Sequence, residues 1–233
     1  MADEAAGTDL ENAPVDAVVE KLKTDIASGL SEDEAARRLA TYGPNALPEE
    51  KTSLARQILR HFVGPIAFMI EAAALVSLLL GDRGDFVIIF GLLLFNAGLE
   101  FYQDSKATNA LAALKNSLAP QASALRGGVV KTVDAATLVP GDIVLLEAGD
   151  KVPADLRLIR THGLQVQEAI LTGESVPVDK GTAPVPADAP LGDRSCMAYS
   201  GTMVTSGQGR GVIVATGAAT EIGRISGLLS SVE

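Results

Sequence analysis

The chain has no tryptophan, one cysteine and two histidines. One thiol, Cys196, cannot close an internal disulfide, and His61 and His162 lie far apart, so no zinc cluster is suggested. Cys196 therefore reads as an inert thiol rather than a redox group. Aromatic residues reach only 4% against 47% hydrophobic residues, so the apolar content is leucine, valine, isoleucine and alanine. Basic residues number 19 against 29 acidic ones, and the net charge of -10 argues against nucleic acid as a partner. Met1–Pro14 lacks the basic and apolar regions of a signal peptide. A phosphate-binding loop of the Gly-x-x-x-x-Gly-Lys type is also missing.

What is present is unevenly spread. The 233 residues suggest one or two domains. A mean hydropathy of +0.25 is high for a soluble chain, and the excess sits in one place. Residues 1–14 are polar and aperiodic and read as a disordered tail. Residues 15–54 read as a small helical cytoplasmic unit. Val15, Val18, Val19, Leu22 and Ile26 recur at helical spacing up to Gly29. Ser31 and Glu34 have capping-box spacing ahead of Ala35, Ala36, Leu39 and Tyr42, and Gly43-Pro44 stops that second helix. The unit is too small to hold much core alone.

Residues 55–118 carry the apolar excess. Two runs, about 62–80 and 86–102, approach the roughly 20 residues that a helix needs to cross a bilayer. The short Gly81–Asp85 link makes them a tight hairpin. Arg56, Arg60 and His61 precede the pair and Lys106 and Lys115 follow it, which places both ends of the hairpin in the cytoplasm. Ala107, Ala110, Leu111, Leu114 and Leu118 extend the second run into a stalk that ends at Pro120. The rival reading of this region is a buried soluble hairpin.

Residues 121–218 change character. Short runs such as Val129–Val133, Asp142–Glu147, Leu156–Ile159, Leu164–Gln167 and Arg210–Thr216 alternate with turn residues, the pattern of a compact β domain. Ala183–Pro190 is proline-rich and reads as a surface loop. Ile222, Ile225, Leu228 and Leu229 then restore a helical period over residues 219–233. The fold class is mixed: a transmembrane helical hairpin with stalk, a small all-β domain of distorted jelly-roll type, and a short helical N-terminal unit.

Within the β region, Thr172-Gly173-Glu174-Ser175 forms a turn that presents a carboxylate. Such a group can orient a water and take its proton, although a surface glutamate on a turn is most often simply solvated. The neighbouring strings decide between the two. Leu138–Asp142, Gly149–Asp155, Leu171–Pro177, Ser200-Gly201-Thr202 and Ala215-Thr216-Gly217 follow the hairpin and stalk in order. Gly29-Leu30-Ser31 and Tyr42-Gly43-Pro44-Asn45 precede them. This series resembles the P-type cation-transporting ATPases, from their N-terminus through the actuator domain, over roughly residues 15–233.

The resemblance implies roles. Glu174, with Thr172, Gly173 and Ser175, matches the family's dephosphorylation loop, in which the glutamate activates water against an aspartyl phosphate. Pro140, Gly141, Asp142, Pro153, Ala154 and Asp155 match structural turns. The family's nucleophile string, Asp-Lys-Thr-Gly, does not occur, and the scrambled Asp179-Lys180-Gly181-Thr182 reads as a turn. The chain thus lacks the parts that bind and split ATP, and alone it is expected to be inactive. A truncated gene, a fragment and one piece of a split pump all remain open, with residues 219–233 leading towards a third span. No cofactor is expected on this chain. ATP and Mg2+ are implied for the complete pump, as are the remaining domains and helices, a cation substrate, a lipid bilayer and placement as a multi-pass protein of the cell membrane.

On the cation, the two halves disagree. Pro65, Met69–Ala74, Asp85-Phe86 and Asn96-Ala97 are similar to plasma-membrane proton pumps, in which the asparagine matched by Asn96 pairs with a carboxylate on a later span. Met197–Thr202, Gly207–Gly211 and Thr220–Gly223 are more similar to calcium and sodium pumps. Asn96 and Glu71 are the ion-pathway candidates, since polar groups at membrane depth are costly; the alternative for Asn96 is a hydrogen bond that only helps packing. Protons are the expected cargo, with calcium or sodium as the alternative. A truncated membrane protein that binds or regulates a full pump, and a β domain on an unrelated anchor, are the other readings.

Overall fold

The computed structural model describes residues 10, 13–47, 65–81, 83–117 and 120–230. The chain divides into two units, one joining residues 1–48 to 120–233 and the other covering residues 49–119.

The first unit is built on a seven-stranded sheet of β1 (Gln121–Arg126), β2 (Val129–Asp134), β3 (Ile143–Glu147), β4 (Asp155–Gln167), β5 (Val178–Asp179), β6 (Met197–Ala198) and β7 (Met203–Ala215). The strand order is β2-β1-β3-β7-β4-β5, with β6 also on β4. Every pairing is antiparallel. This sheet is the expected β domain. Leu138, Val144, Leu146, Leu156, Leu158, Leu164 and Ile213 form its buried core.

The strands differ from expectation where polar residues interrupt them. Leu156–Ile159 and Leu164–Gln167 belong to one strand, β4, rather than two. Register shifts against β7 between Leu158 and Arg160, and between His162 and Gln165, absorb the break. Such bulges leave a residue unpaired without ending the strand. β7 begins at Met203 although Thr205–Gly209 lacks apolar alternation, because it pairs along the whole of β4. Gly127 and Gly128, both at positive φ, join β1 to β2 in the two-residue turn that suits a hairpin's twist.

Two helices, α1 (Val15–Leu22) and α2 (Glu32–Tyr42), lean on this sheet. The first ends earlier than the sequence period suggests. Lys23 turns left-handed at φ 49, and Ile26 lies outside the helix and exposed. The Asp25 side chain accepts from the backbone of Ala27 and Ser28, which competes with helix continuation. Val18 is buried with Leu10, Cys196, Met197, Tyr199 and Val212. Of the tail, only Leu10, Ala13 and Pro14 lie within the described residues, and Leu10 is buried in that cluster. Ser31 caps α2 by accepting from Glu34 N–H at 3.2 Å. The Glu34 carboxylate turns to Arg37 and Arg38 instead of back to the cap, so only half of the capping box forms.

The second unit holds α3 (Pro65–Leu79) and α4 (Arg83–Ser117). The expected runs at 62–80 and 86–102 fall on these helices; residues 62–64 lie outside the described residues. Among the described residues, α4 alone is long and apolar enough to cross a bilayer, over Arg83–Lys106. α3 has 15 residues, about 22 Å at 1.5 Å per residue, short of the roughly 30 Å hydrocarbon core. The stalk is no separate element, since α4 runs on to Ser117. Ala74, Ser77 and Leu93 are buried between the two helices, and the Phe86 and Phe90 rings stack at 5.6 Å.

Candidate functional site

The Thr172–Ser175 turn leaves the sheet from the end of β4. A short helix, α5 (Ala169–Thr172), starts on the Glu168 carbonyl, which accepts from Leu171 and Thr172 N–H. Gly173, at φ 78, closes it in a left-handed turn where a side chain would be strained. The Thr172 hydroxyl donates to the Glu168 carbonyl and accepts from Glu174 N–H, both at 3.2 Å. Gln167 Nε2 donates to the Ser175 carbonyl at 3.3 Å. Thr172, Gly173, Glu174, Ser175, Val176 and Pro177 are all exposed. The turn is thus tied at its start and offers Glu174 outward, free to meet another surface.

Beneath it lies a pair that sequence reasoning missed. Glu168, just before α5, and Lys180, just after β5, meet at 2.6 Å with side chains 1% and 0% exposed. Burial pushes the Glu168 carboxyl up, against the neighbouring ammonium, and pushes the Lys180 ammonium down. Glu168 Oε2 has no hydrogen-bond partner among the described residues. The available signal was a glutamate and a lysine of opposite charge flanking an exposed turn. It also corrects the reading of residues 179–182 as a mere turn: Asp179 ends β5 and accepts from Gln165 Nε2, and Lys180 is buried.

The turns at Pro140–Asp142 and Pro153–Asp155 hold the unit together. Asp142 is buried and takes a bidentate pair from Arg126, at 2.9 and 2.6 Å. It also accepts from Val139 N–H. Asp155 accepts from the backbone N–H of Ser200 and of Glu221, the first residue of α6 (Glu221–Ser230). The N-terminal helices fasten to the same turns: Arg38 donates to the Pro140 carbonyl and Thr24 to that of Gly141. Asn45 donates to the carbonyls of Ala135 and Pro153 and accepts from Gly217 N–H, so one side chain joins three segments.

In the second unit, Glu71 is half-buried on α3 and Asn96 is exposed on α4. Glu174 belongs to the other unit. No group of three or more metal-ligating side chains occurs among the described residues.

Comparison with known proteins reaches both units. A family model for the N-terminus of cation transporter ATPases matches residues 10–77, and one for the P-type ATPase actuator domain matches residues 116–230. The probable cation-transporting ATPase F of Mycobacterium tuberculosis (strain ATCC 25618 / H37Rv) is 45% identical over 230 residues, covering 98% of this chain and 25% of that protein. Cation-transporting ATPase pma1 of Synechocystis sp. is 41% identical over 91% of this chain and 24% of its own length. Calcium-transporting ATPase 1 of Bacillus cereus is 42% identical over 89% of this chain and 24% of its own length. The chain spans about a quarter of the length of these relatives. It belongs to the cation-transporting P-type ATPases and carries their N-terminal and actuator portions.

Proposed function

We propose that this chain supplies the dephosphorylation glutamate and the first membrane hairpin of an ATP-driven cation pump. The observation that carries the reading is the exposed Glu174 on a turn anchored at its start, within an actuator domain. Glu174 orients a water against an aspartyl phosphate held by another domain. The water oxygen bonds to phosphorus, the bond from phosphorus to the aspartate oxygen breaks, and the water proton passes to the Glu174 carboxylate. Thr172 and Gly173 hold the turn, and Ser175 follows the reactive group. The present residues alone hydrolyse no ATP; Mg2+ and ATP act on the other domains.

α3 and α4 lie in the cell membrane as two passes, with the N-terminal helices and actuator on the cytoplasmic side; the first pass takes the whole apolar run 62–80, about 28 Å as a helix, since the 15 residues of α3 alone fall short. Their near-continuous outward apolar surface supports this placement. For the cargo, the hairpin pattern around Asn96 and Glu71 supports protons. The second reading is calcium, supported by relatives named calcium-transporting ATPases. Transport into sealed vesicles separates them: ATP-driven acidification without calcium supports the first, and calcium-dependent ATP hydrolysis the second. In a complete pump carrying this chain, Glu174→Ala leaves phosphoenzyme formation intact and slows its decay on the order of a hundredfold, within the usual reach of general-base removal. Decay at the parental rate removes Glu174 from the mechanism.

A further inference from the structure

We infer that the Glu168–Lys180 ion pair is a positioning clamp, closing the base of residues 169–179 so that Glu174 is presented at a fixed place. The inference rests on the reading of Glu174 above. The segment's middle has little to hold it. Thr172–Pro177 is exposed, and β5 is a two-residue strand paired only through Val166–Val178 and Gln165–Asp179. Its two ends, by contrast, converge on one buried contact of 2.6 Å. The backbone fixes both partners to β4: Glu168 directly follows Gln167, the last residue of that strand, and Lys180 N–H donates to the Leu164 carbonyl at 2.9 Å. Lys180 Nζ also reaches the Arg194 carbonyl at 3.5 Å.

Stability does not explain such a pair. Taking two charges out of water costs several kcal/mol for each ion, and packed apolar residues of similar volume often serve as well or better. Here the cost is not fully offset, because Glu168 Oε2 gains no hydrogen bond among the described residues. What an ion pair has and an apolar contact lacks is direction and length. A 2.6 Å bond permits one separation between the two chain ends, whereas two apolar side chains slide over each other. A displacement of about 1 Å at a reacting group can cost on the order of a hundredfold in rate, so a fixed base below Glu174 has a use that folding alone would not require.

The experiment replaces both partners together, Glu168→Met with Lys180→Met, so that no buried charge is stranded. In the 233-residue chain, the melting temperature is expected to stay level or rise. Cleavage by a glutamate-specific protease at Glu174, read by mass spectrometry against cleavage at Glu147, is expected to rise about tenfold. Lys180→Arg, which keeps the pair, stays within about twofold of the parent. An unchanged cleavage ratio in the double variant overturns the clamp, as does a rise accompanied by global unfolding in the double variant. In a complete pump the double variant is expected to form phosphoenzyme normally and to lose it about tenfold more slowly. Glu174→Gln is the control. If it slows decay and the double variant does not, the clamp fails while the reading of Glu174 stands. If Glu174→Gln leaves decay unchanged, that reading fails, and the protease ratio alone judges the clamp.

Discussion

Leucine, valine and isoleucine turn inward in one unit of this chain and outward in the other. In the sheet unit, Leu156, Leu158 and Ile213 have no exposure, whereas Leu79, Leu80 and Phe95 of the hairpin are 77%, 80% and 68% exposed. The charges reverse as well. The sheet unit buries Arg126 with Asp142 and Lys180 with Glu168, and α3 from Pro65 to Leu79 holds a single ionisable residue, Glu71. A sheet with polar turns can shield its apolar face by pairing and layering its own strands, and its stability is then internal. Two helices that leave Leu79 and Phe95 exposed do not shield each other completely, and in the proposed placement lipid or further helices cover that apolar surface. In the proposed membrane placement, the same residue types report two solvents.

The largest effect expected from this contrast is electrostatic. Arg126→Met leaves Asp142 buried at 0% exposure with its bidentate partner gone, and a broken buried pair costs about 3–5 kcal/mol. Chemical unfolding followed by far-ultraviolet circular dichroism measures it. Burial and pairing are the premise, so a loss below about 1 kcal/mol, the range of exposed pairs, would break the comparison.

Next comes a matched pair of truncations. Leu156→Ala empties a fully buried position on β4 and is expected to cost about 2–5 kcal/mol. Leu94→Ala removes the same atoms from a position 51% exposed on α4, where the change should stay within about 0.5 kcal/mol in detergent. Similar losses at both sites would mean that the hairpin carries an internal core after all.

How much of this was legible in the sequence follows from the same contrast. The hairpin was readable because its apolar residues are consecutive. The β domain was readable as a class because its turns are marked by Gly, Pro and Asp, and Thr172–Ser175 as a presented turn because Gly173 and the Thr172 hydroxyl act locally. The continuity of β4 was not readable, since Thr161, His162 and Gly163 look like a loop, whereas Thr161 and His162 pair with Gly209 and Gln208 of β7 and Gly163 lies in the register shift that follows. Nor was Lys180 readable as a buried residue, because lysine is seldom buried unless paired, and its partner is brought to it by the chain reversal at Gly173. The joining role of Asn45 is equally non-local, reaching Ala135, Pro153 and Gly217.

The smallest effect expected is a titration that sharpens the boundary between buried and exposed charge. Glu32, in the first turn of α2, meets Lys131 of β2 at 2.7 Å and Arg126 at 3.6 Å, with its side chain 55% exposed. The Lys131 hydrogen bond, aided by the nearby charges of Lys131 and Arg126, holds the Glu32 carboxyl below its ordinary value of 4.5. A carboxyl held lower in the folded state than in the unfolded one stabilises the fold above the unfolded value. That contribution fades as pH falls from 4.5 through the lower folded value. Asp25 and Glu34 are lowered too, so the informative quantity is the difference between the parent and Glu32→Gln. Solvent screening keeps that difference within about 0.2–1 kcal/mol at neutral pH. It should shrink towards zero as pH drops below 4.5, and should also shrink in high salt. A difference that persists in acid would mean that Glu32 acts through packing of its stem on the β1–β2 hairpin, and that the exposed rim of this unit is held by shape in the same way as its core.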